Sequence, residues 1–323
     1  VTIIPPDDAP LHRAARLEDA VHAVVTRRMR RRGWSLRIIA YTGYGAPGWA
    51  RVIARVTVAP RESPRPGPAE KVRGWRHFAT LPAKNVPVVI DAGGRSHETR
   101  TDRSGFIDTV VECDLPTGWQ EVGLSCEDAT AVAAPVNIVD PGVDFGIISD
   151  IDDTVMVTAL PRPLLAAWNT FVLDEHARMA VPGMAVMYER LTSRHPGAPV
   201  FYLSTGAFNV APALSRFLSR HLYPVGPLLL TDWGPTAEGW FRSGRAHKRV
   251  ALRRLAKEFP QIRWLLVGDD GQHDQEIYGE FAAEQPDRVA GVAIRHLSPT
   301  EAVLARGLPA PEPAARPLGR RWM

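Results

Sequence analysis

Between Phe145 and Ile294 short apolar runs alternate with longer stretches of mixed polarity, and this alternation constrains the fold more than any other feature. The runs Phe145–Ser149, Pro199–Leu203, Pro227–Leu230, Arg263–Val267 and Val289–Ile294 are the candidate strands. Apolar strands of this kind, separated by helices, are buried on both faces of a parallel sheet. The candidate helices lie near Met184–Arg194, Asn209–His221, His247–Phe259 and Asp274–Glu284. Strand and helix in alternation predict an α/β fold with a doubly wound parallel sheet.

The chain before this region reads differently. Leu36–Thr42, Ala50–Val58, Val86–Asp91, Ile107–Cys113 and Gln120–Cys126 carry β-branched or alternating patterns, separated by Gly- and Pro-containing turns. Short strands with no intervening helix predict a small all-β, sandwich-like domain. Residues Ala14–Arg32 read as a helix with an apolar stripe at Leu17, Val21, Val24 and Val25 and an arginine-rich end before Gly33. Cations at a helix C-terminus complement its dipole. The expected organisation is a basic helix over 1–34, a β-sandwich-like domain over 35–141, an α/β catalytic domain over 142–307 and a Pro-rich disordered tail over 308–323. Asp140-Pro141-Gly142 marks the main boundary, and Pro60–Pro68 reads as a flexible loop.

A chain of 323 residues can build two cores, and 45% hydrophobic with 23% charged residues is the composition of an ordinary globular protein. No apolar run approaches the roughly 18 residues that a membrane-spanning helix needs. Val1–Asp8 lacks the basic-then-apolar plan of a signal peptide, so a cytoplasmic location is expected. Cys113 and Cys126 fall out of register on neighbouring candidate strands, which favours free thiols over a disulfide. The net charge of +4 permits an anionic partner without identifying one. Nucleic acid is not among the expected partners, and the oligomeric state is left open.

The chemistry gathers at strand ends, where open α/β sheets place their sites. The first strand runs into Asp150-Ile151-Asp152-Asp153-Thr154, and the second into Ser204-Thr205-Gly206. Lys248 opens the helix before the fourth strand, and that strand ends in Gly268-Asp269-Asp270-Gly271 with Asp274 beyond. These are the parts needed to move a phosphoryl group. A carboxylate can attack phosphorus and form an acyl phosphate that water hydrolyses. The dense charge of the transferring group calls for a divalent metal and a lysine. A hydroxyl and backbone amides at a helix start can hold the remaining oxygens.

The four stretches resemble, in order, the motifs of the haloacid dehalogenase-like (HAD) phosphatases. More narrowly, residues 145 to about 297 resemble the magnesium-dependent phosphatidate phosphatase family typified by the fungal actin-patch enzyme. The residues carrying that likeness are Asp150–Val155, Val181-Pro182-Gly183-Met184, Tyr202-Leu203-Ser204-Thr205, His247-Lys248 and Gly268 through Tyr278. The resemblance implies a HAD-like sheet in which Asp150 is the nucleophile and Asp152 the general acid, then base. Mg2+ would bind Asp150, the Asp152 backbone carbonyl and Asp269, with Asp270 or Asp274 holding its waters. Ser204, or Thr205 in its place, and Lys248 would grip the phosphoryl oxygens, and Thr154 would steady the loop. His273 and the loose Ser204-Thr205-Gly206-Ala207-Phe208 segment depart from the fungal pattern.

The implied activity is hydrolysis of a phosphate monoester, with phosphatidate the leading substrate and peripheral contact with the inner face of the membrane. Trp168, Phe171, Trp233, Trp240 and Phe241 could form a lipid-contact surface, with Arg242 and Arg245 nearby; as core residues they would be unexceptional. Leu164–Leu173 reads as one short helix, too little for a large cap over the site. The alternatives are a phosphatase for a soluble ester, or a signalling or binding protein whose α/β domain does not turn over. In receiver domains the acidic pair precedes the acceptor aspartate, whereas here Asp150 comes first.

Overall fold

The computed structural model describes residues 28–29, 31–60, 81–157, 179–231, 244–271, 273–298 and 320–322. Most of the expected N-terminal helix, most of the Pro60–Pro68 loop, the Leu164–Leu173 helix and residues 308–319 lie outside these. So do Trp168, Phe171, Trp233, Trp240, Phe241 and Arg242.

The first half is β-structure: β1 (Trp34–Ala46), β2 (Gly48–Pro60), β3 (Leu81–Pro82), β4 (Pro87–Ala92), β5 (Arg95–Arg100), β6 (Phe106–Cys113), β7 (Gly118–Ser125) and β8 (Val132–Ile138). Instead of two separate sheets, hydrogen bonds join them into one eight-stranded sheet of order β3-β2-β1-β8-β7-β4-β5, with β6 paired to β2. Strands far apart in that order share a core: Val52, Ala54 and Val56 of β2 lie in one apolar cluster with Ile90 of β4 and Val122 and Leu124 of β7. The sheet therefore rolls around its own apolar face. Cys113 and Cys126 are free thiols.

After Ile138 the chain turns at Asp140, whose carboxylate accepts from the Gly142 amide at 2.8 Å and whose carbonyl accepts from Val143 at 3.0 Å. There follow β9 (Phe145–Asp150), β10 (Met156–Val157), β11 (Met179–Ala180), α1 (Met184–Arg194), β12 (Val200–Ala207), α2 (Ala211–Arg220), β13 (Leu228–Thr231), α3 (Gly244–Glu258), β14 (Arg263–Asp269), α4 (Asp274–Glu284), β15 (Val289–Arg295) and β16 (Arg320–Trp322). β10 and β11 form a small antiparallel ribbon. The others make a six-stranded sheet, β13-β12-β9-β14-β15-β16, parallel throughout. The chain starts in the middle at β9, steps outward through β12 to β13, then crosses to β14 and β15. The order reverses between β9 and β14, the point at which open α/β sheets place their sites, at the strand ends.

One expectation fails. Arg320–Trp322, placed by sequence in a disordered tail, pairs in parallel with Ala293–Arg295. Edge strand β15 presents unpaired backbone groups, and a short segment that satisfies them is ordered by doing so.

The two halves share one core. Tyr41, Tyr44, Ile53 and Phe106 from the first sheet belong to the same apolar cluster as Phe201, Phe208, Phe259 and Trp264 of the second. Tyr44 is fully buried, 4.9 Å from Phe201 edge to face and 5.9 Å from Phe259. Close backbone packing continues under β9: a Cβ on Gly146 would come within 2.5 Å of the Trp264 ring.

Candidate active site

Asp150 is the last residue of β9, paired with Leu203 of β12 on one side, and Val267 of β14 pairs with Ser149 on the other. The central position buries its carboxylate to 1% exposure. Beyond it the chain closes a tight turn on the Ile151 carbonyl, which accepts from Val155 at 3.0 Å and Met156 at 3.1 Å. Thr154 joins that turn through its backbone, with its side chain buried. Asp153 takes a left-handed φ of 59°, a conformation that carboxylate and amide side chains tolerate better than most. Its carbonyl accepts from Arg295 at 2.7 Å.

Lys248, one turn inside α3, is buried and reaches two carboxylates: Asp150 Oδ1 at 2.6 Å and Asp274 Oδ1 at 2.5 Å. Burial pulls the ammonium toward neutrality, but Asp150 and Asp274 outweigh it and raise its pKa above the usual lysine value. Asp269 ends β14, and its Oδ1 accepts from the Gly271 amide at 2.6 Å. Carboxylate oxygens of Asp150, Asp269 and Asp274 all lie within 4.8 Å of one another. Burial, with crowding by Asp274, pushes Asp269 up to about 8 despite Lys248. Burial also raises Asp150 well above the carboxylate range, against Lys248 and with Asp274, Asp269 and Asp152 adding to it.

These carboxylates fit a divalent cation. Asp150 Oδ2 and Asp274 Oδ2 are buried and receive no hydrogen bond among the described residues. Three carboxylates against one ammonium leave uncompensated negative charge, and hard divalent cations take all-oxygen donor sets of this kind. Asp270 is not part of the group. Its Oδ1 accepts from the Leu297 amide at 3.0 Å and its Oδ2 pairs with His296 Nδ1 at 2.5 Å. Sequence left open which of Asp270 and Asp274 would support a metal; Asp274, and not Asp270, lies with Asp150 and Asp269.

The hydroxyl side of the site forms where β12 leaves its ladder. Pairing with β13 shifts between Leu203 and Ala207, so Ser204, Thr205 and Gly206 bulge outward. Ser204 is buried, donates to Asp152 Oδ2 at 2.9 Å and accepts from the Gly206 amide at 3.0 Å. Thr231 donates to the Thr205 carbonyl at 2.9 Å. Thr205 itself packs against Gly244, where a Cβ would come within 2.5 Å of its methyl group. Asp150, Asp152, Ser204, Lys248, Asp269 and Asp274 therefore meet at one end of the sheet. His247 reaches the Leu229 carbonyl, at 3.2 Å. Arg245 is exposed on α3.

The sequence reading missed Arg295 and the hydroxyls beneath Asp150. Ser149 donates to the Asp150 carbonyl at 2.6 Å and lies 2.6 Å from the Tyr188 hydroxyl, while Tyr223 donates to the Val155 carbonyl at 2.9 Å. Arg295 stood at the end of an anticipated strand, which was a usable signal; the tyrosines carried none.

Residues 145–296 match the model of a family described as phosphatidate phosphatase APP1, catalytic domain. The phosphatidate phosphatase APP1 of Saccharomyces cerevisiae is 25% identical over 243 residues, covering 70% of this chain and 40% of the yeast protein. An uncharacterized protein of Schizosaccharomyces pombe is 28% identical over 152 residues, 47% of this chain and 25% of that protein. The chain thus spans less than half the length of these curated relatives. Among solved structures, the HAD domain of effector protein Lem4 from Legionella pneumophila is similar with a TM-score of 0.32 and 14% identity, over 48% of this chain and 88% of that one.

Proposed function

We propose, for a chain related to the phosphatidate phosphatase APP1 family and carrying a phosphatidate phosphatase-like hydrolase domain, that it cleaves phosphate monoesters through an aspartyl-phosphate formed on Asp150. The observation that carries this reading is the Lys248 bridge, which holds Asp150 and Asp274 on one ammonium with Asp269 beside them. Residues 142–307 are read as a HAD-like doubly wound domain and residues 35–141 as a sandwich-like one. The strand order that starts at β9 and grows outward both ways supports the first assignment.

In this mechanism the Asp150 carboxylate attacks phosphorus while the ester P–O bond breaks. Asp152, held by the Ser204 hydroxyl, gives its proton to the departing alcohol. Water then attacks the aspartyl phosphate, and Asp152 takes its proton. Lys248 offsets the charge that builds on the phosphoryl oxygens, and the bulged Ser204–Gly206 segment is aimed at those oxygens. Asp150, Asp269 and Asp274 would hold Mg2+, which supplies further neutralisation of that charge.

Phosphatidate is the proposed substrate, taken from a membrane surface by peripheral contact with its inner face. Among the described residues no helix is long and apolar enough to cross a membrane. The test is phosphate release with Mg2+ from phosphatidate in mixed micelles, compared with small soluble esters. Preferential turnover of the lipid supports the reading, and turnover of soluble esters alone overturns the lipid assignment. Asp150→Asn should abolish activity in a folded protein; retained activity sinks the mechanism.

A further inference from the structure

We propose that Tyr41 and Phe106 of the β-rich half are positioning residues for the Ser204–Gly206 segment, acting through Phe208. The β half is then a fixed wall of the active site. The inference rests on reading that segment as the phosphoryl grip.

The segment has left its own sheet. Pairing of β12 with β9 ends at Leu203 opposite Asp150, and pairing with β13 is broken until Ala207 meets Thr231. Thr231 Oγ1 donates to the Thr205 and Gly206 carbonyls at 2.9 and 3.1 Å and tethers the middle of the bulge, while its far end takes a separate anchor. That anchor is Phe208, the next residue after the strand, buried to 6% exposure.

Phe208 packs against two rings from the other half of the molecule. Its ring lies 4.6 Å from Phe106 and 4.8 Å from Tyr41, tilted against both. Tyr41 and Phe106 are 6.0 Å apart and are themselves buried. Tyr41 lies at the last regular pair of the β1–β2 ladder before its register shifts, opposite Ile53, and Phe106 pairs with Arg55 at the start of β6. The three rings form a mutually packed triangle, and close packing of this kind resists displacement of any one of them. The Asp150–Asp269–Asp274 group is carried by β9, β14 and α4, outside the Tyr41–Phe106–Phe208 ring cluster.

The test uses the full-length chain with Tyr41→Ala, Phe106→Ala and the conservative Tyr41→Phe, plus Arg254→Ala as an interface control away from the ring cluster. The first readout is amide hydrogen exchange, which needs no activity. Exchange should speed up in residues 204–208 in the two alanine variants, stay unchanged in residues 265–271, and be restored in Tyr41→Phe. The second readout is kinetic. The alanine variants should lose about 10- to 100-fold in kcat/KM and bind inorganic phosphate more weakly as an inhibitor, with the Mg2+ concentration for half-activation unchanged.

Uniform acceleration of exchange across both segments, or unchanged phosphate inhibition in folded alanine variants, overturns the proposal. Selective exchange in 204–208 with a wild-type protein that releases no phosphate from any ester keeps the wall and overturns the phosphatase reading instead.

Discussion

Gly268 leaves the space that Asp274 occupies: a Cβ at Gly268 would come within 2.7 Å of the Asp274 Cβ and Oδ2 and 2.8 Å of the Tyr278 ring. Asp274 is the first residue of α4, and its carboxylate reaches back over the end of β14 to Lys248. Gly268→Ala should therefore push Asp274 off Lys248 while leaving the sheet intact. The expected result is a loss of about 10- to 100-fold in kcat/KM, the scale set by small displacements of a positioned group. Steady-state kinetics checks it, and wild-type activity in a folded Gly268→Ala protein would contradict the role of Asp274.

Arg295 ties the two acidic motifs together. It pairs in the sheet with Asp269 and donates at 2.7 Å to the carbonyl of Asp153, the residue with left-handed φ in the loop after Asp150. Removing a group that orients metal-holding residues typically weakens metal affinity about 10- to 100-fold. Arg295→Met should raise the Mg2+ concentration for half-activation by about that factor, with a smaller rise in Arg295→Lys. Mg2+ titration of activity, backed by calorimetric Mg2+ binding, decides between this and an Arg295 that only packs.

The acidic cluster also predicts how stability follows pH. Asp269 is raised to about 8 and Asp150 well above the carboxylate range, while unfolded aspartates titrate near 3.9. The metal-free folded state thus keeps protons that the unfolded chain has released. Its stability contribution is full below the unfolded value and is lost as pH rises toward 8. Mg2+ replaces those protons, so its stabilisation grows over the same window. The melting temperature in EDTA should fall between pH 5 and pH 8, and the rise on adding Mg2+ should be larger at pH 8 than at pH 6. An Mg2+ shift independent of pH would count against cation binding at these carboxylates.

Much of the α/β half was legible because its signals are local. Met184–Arg194 and Asp274–Glu284 are helices over the residues the pattern named, and the polar ends of β9, β12 and β14 meet as their spacing implied. What was illegible depends on long-range packing. β5, Arg-Ser-His-Glu-Thr-Arg, is an edge strand with little to bury, so it carries no apolar alternation. β8 is interrupted by Pro135, tolerated because β1 begins to pair only at Val136. Asp270 and Asp274 follow the same strand, and only the start of α4 and the His296 contact separate their fates. Tyr41, Tyr44 and Phe106 were read as members of an independent β domain. Their burial depends on a partner surface far later in the chain, which includes Phe201, Phe208 and Phe259.

That shared surface predicts a single unfolding unit. Glu258, at the end of α3, accepts from Tyr44 Oη at 2.8 Å and from Arg51 Nε at 3.1 Å and Nη2 at 2.5 Å. Arg51 also reaches Asp108 at 2.5 Å, and Arg254 reaches the other Asp108 oxygen at 2.9 Å. Arg51 and Glu258 side chains are each only 14% exposed, so removing the carboxylate leaves Arg51 to Asp108 alone and strands the Tyr44 hydroxyl in the interface. Leaving a largely buried hydrogen-bonding group without its partner costs about 1–3 kcal/mol. Glu258→Ala should lose stability on that scale, whereas an exposed pair such as Arg253–Glu284 should matter by less than about 1 kcal/mol when Glu284 is removed. Because Tyr44 also fills the core against Phe201 and Phe259, the wild-type chain should melt in one transition that Glu258→Ala moves as a whole. A chain begun at residue 142 would expose those rings and should bind a hydrophobic dye and unfold without cooperativity. Two separate transitions in calorimetry of the intact chain, with only the second shifted by Glu258→Ala, would show instead that the halves fold independently.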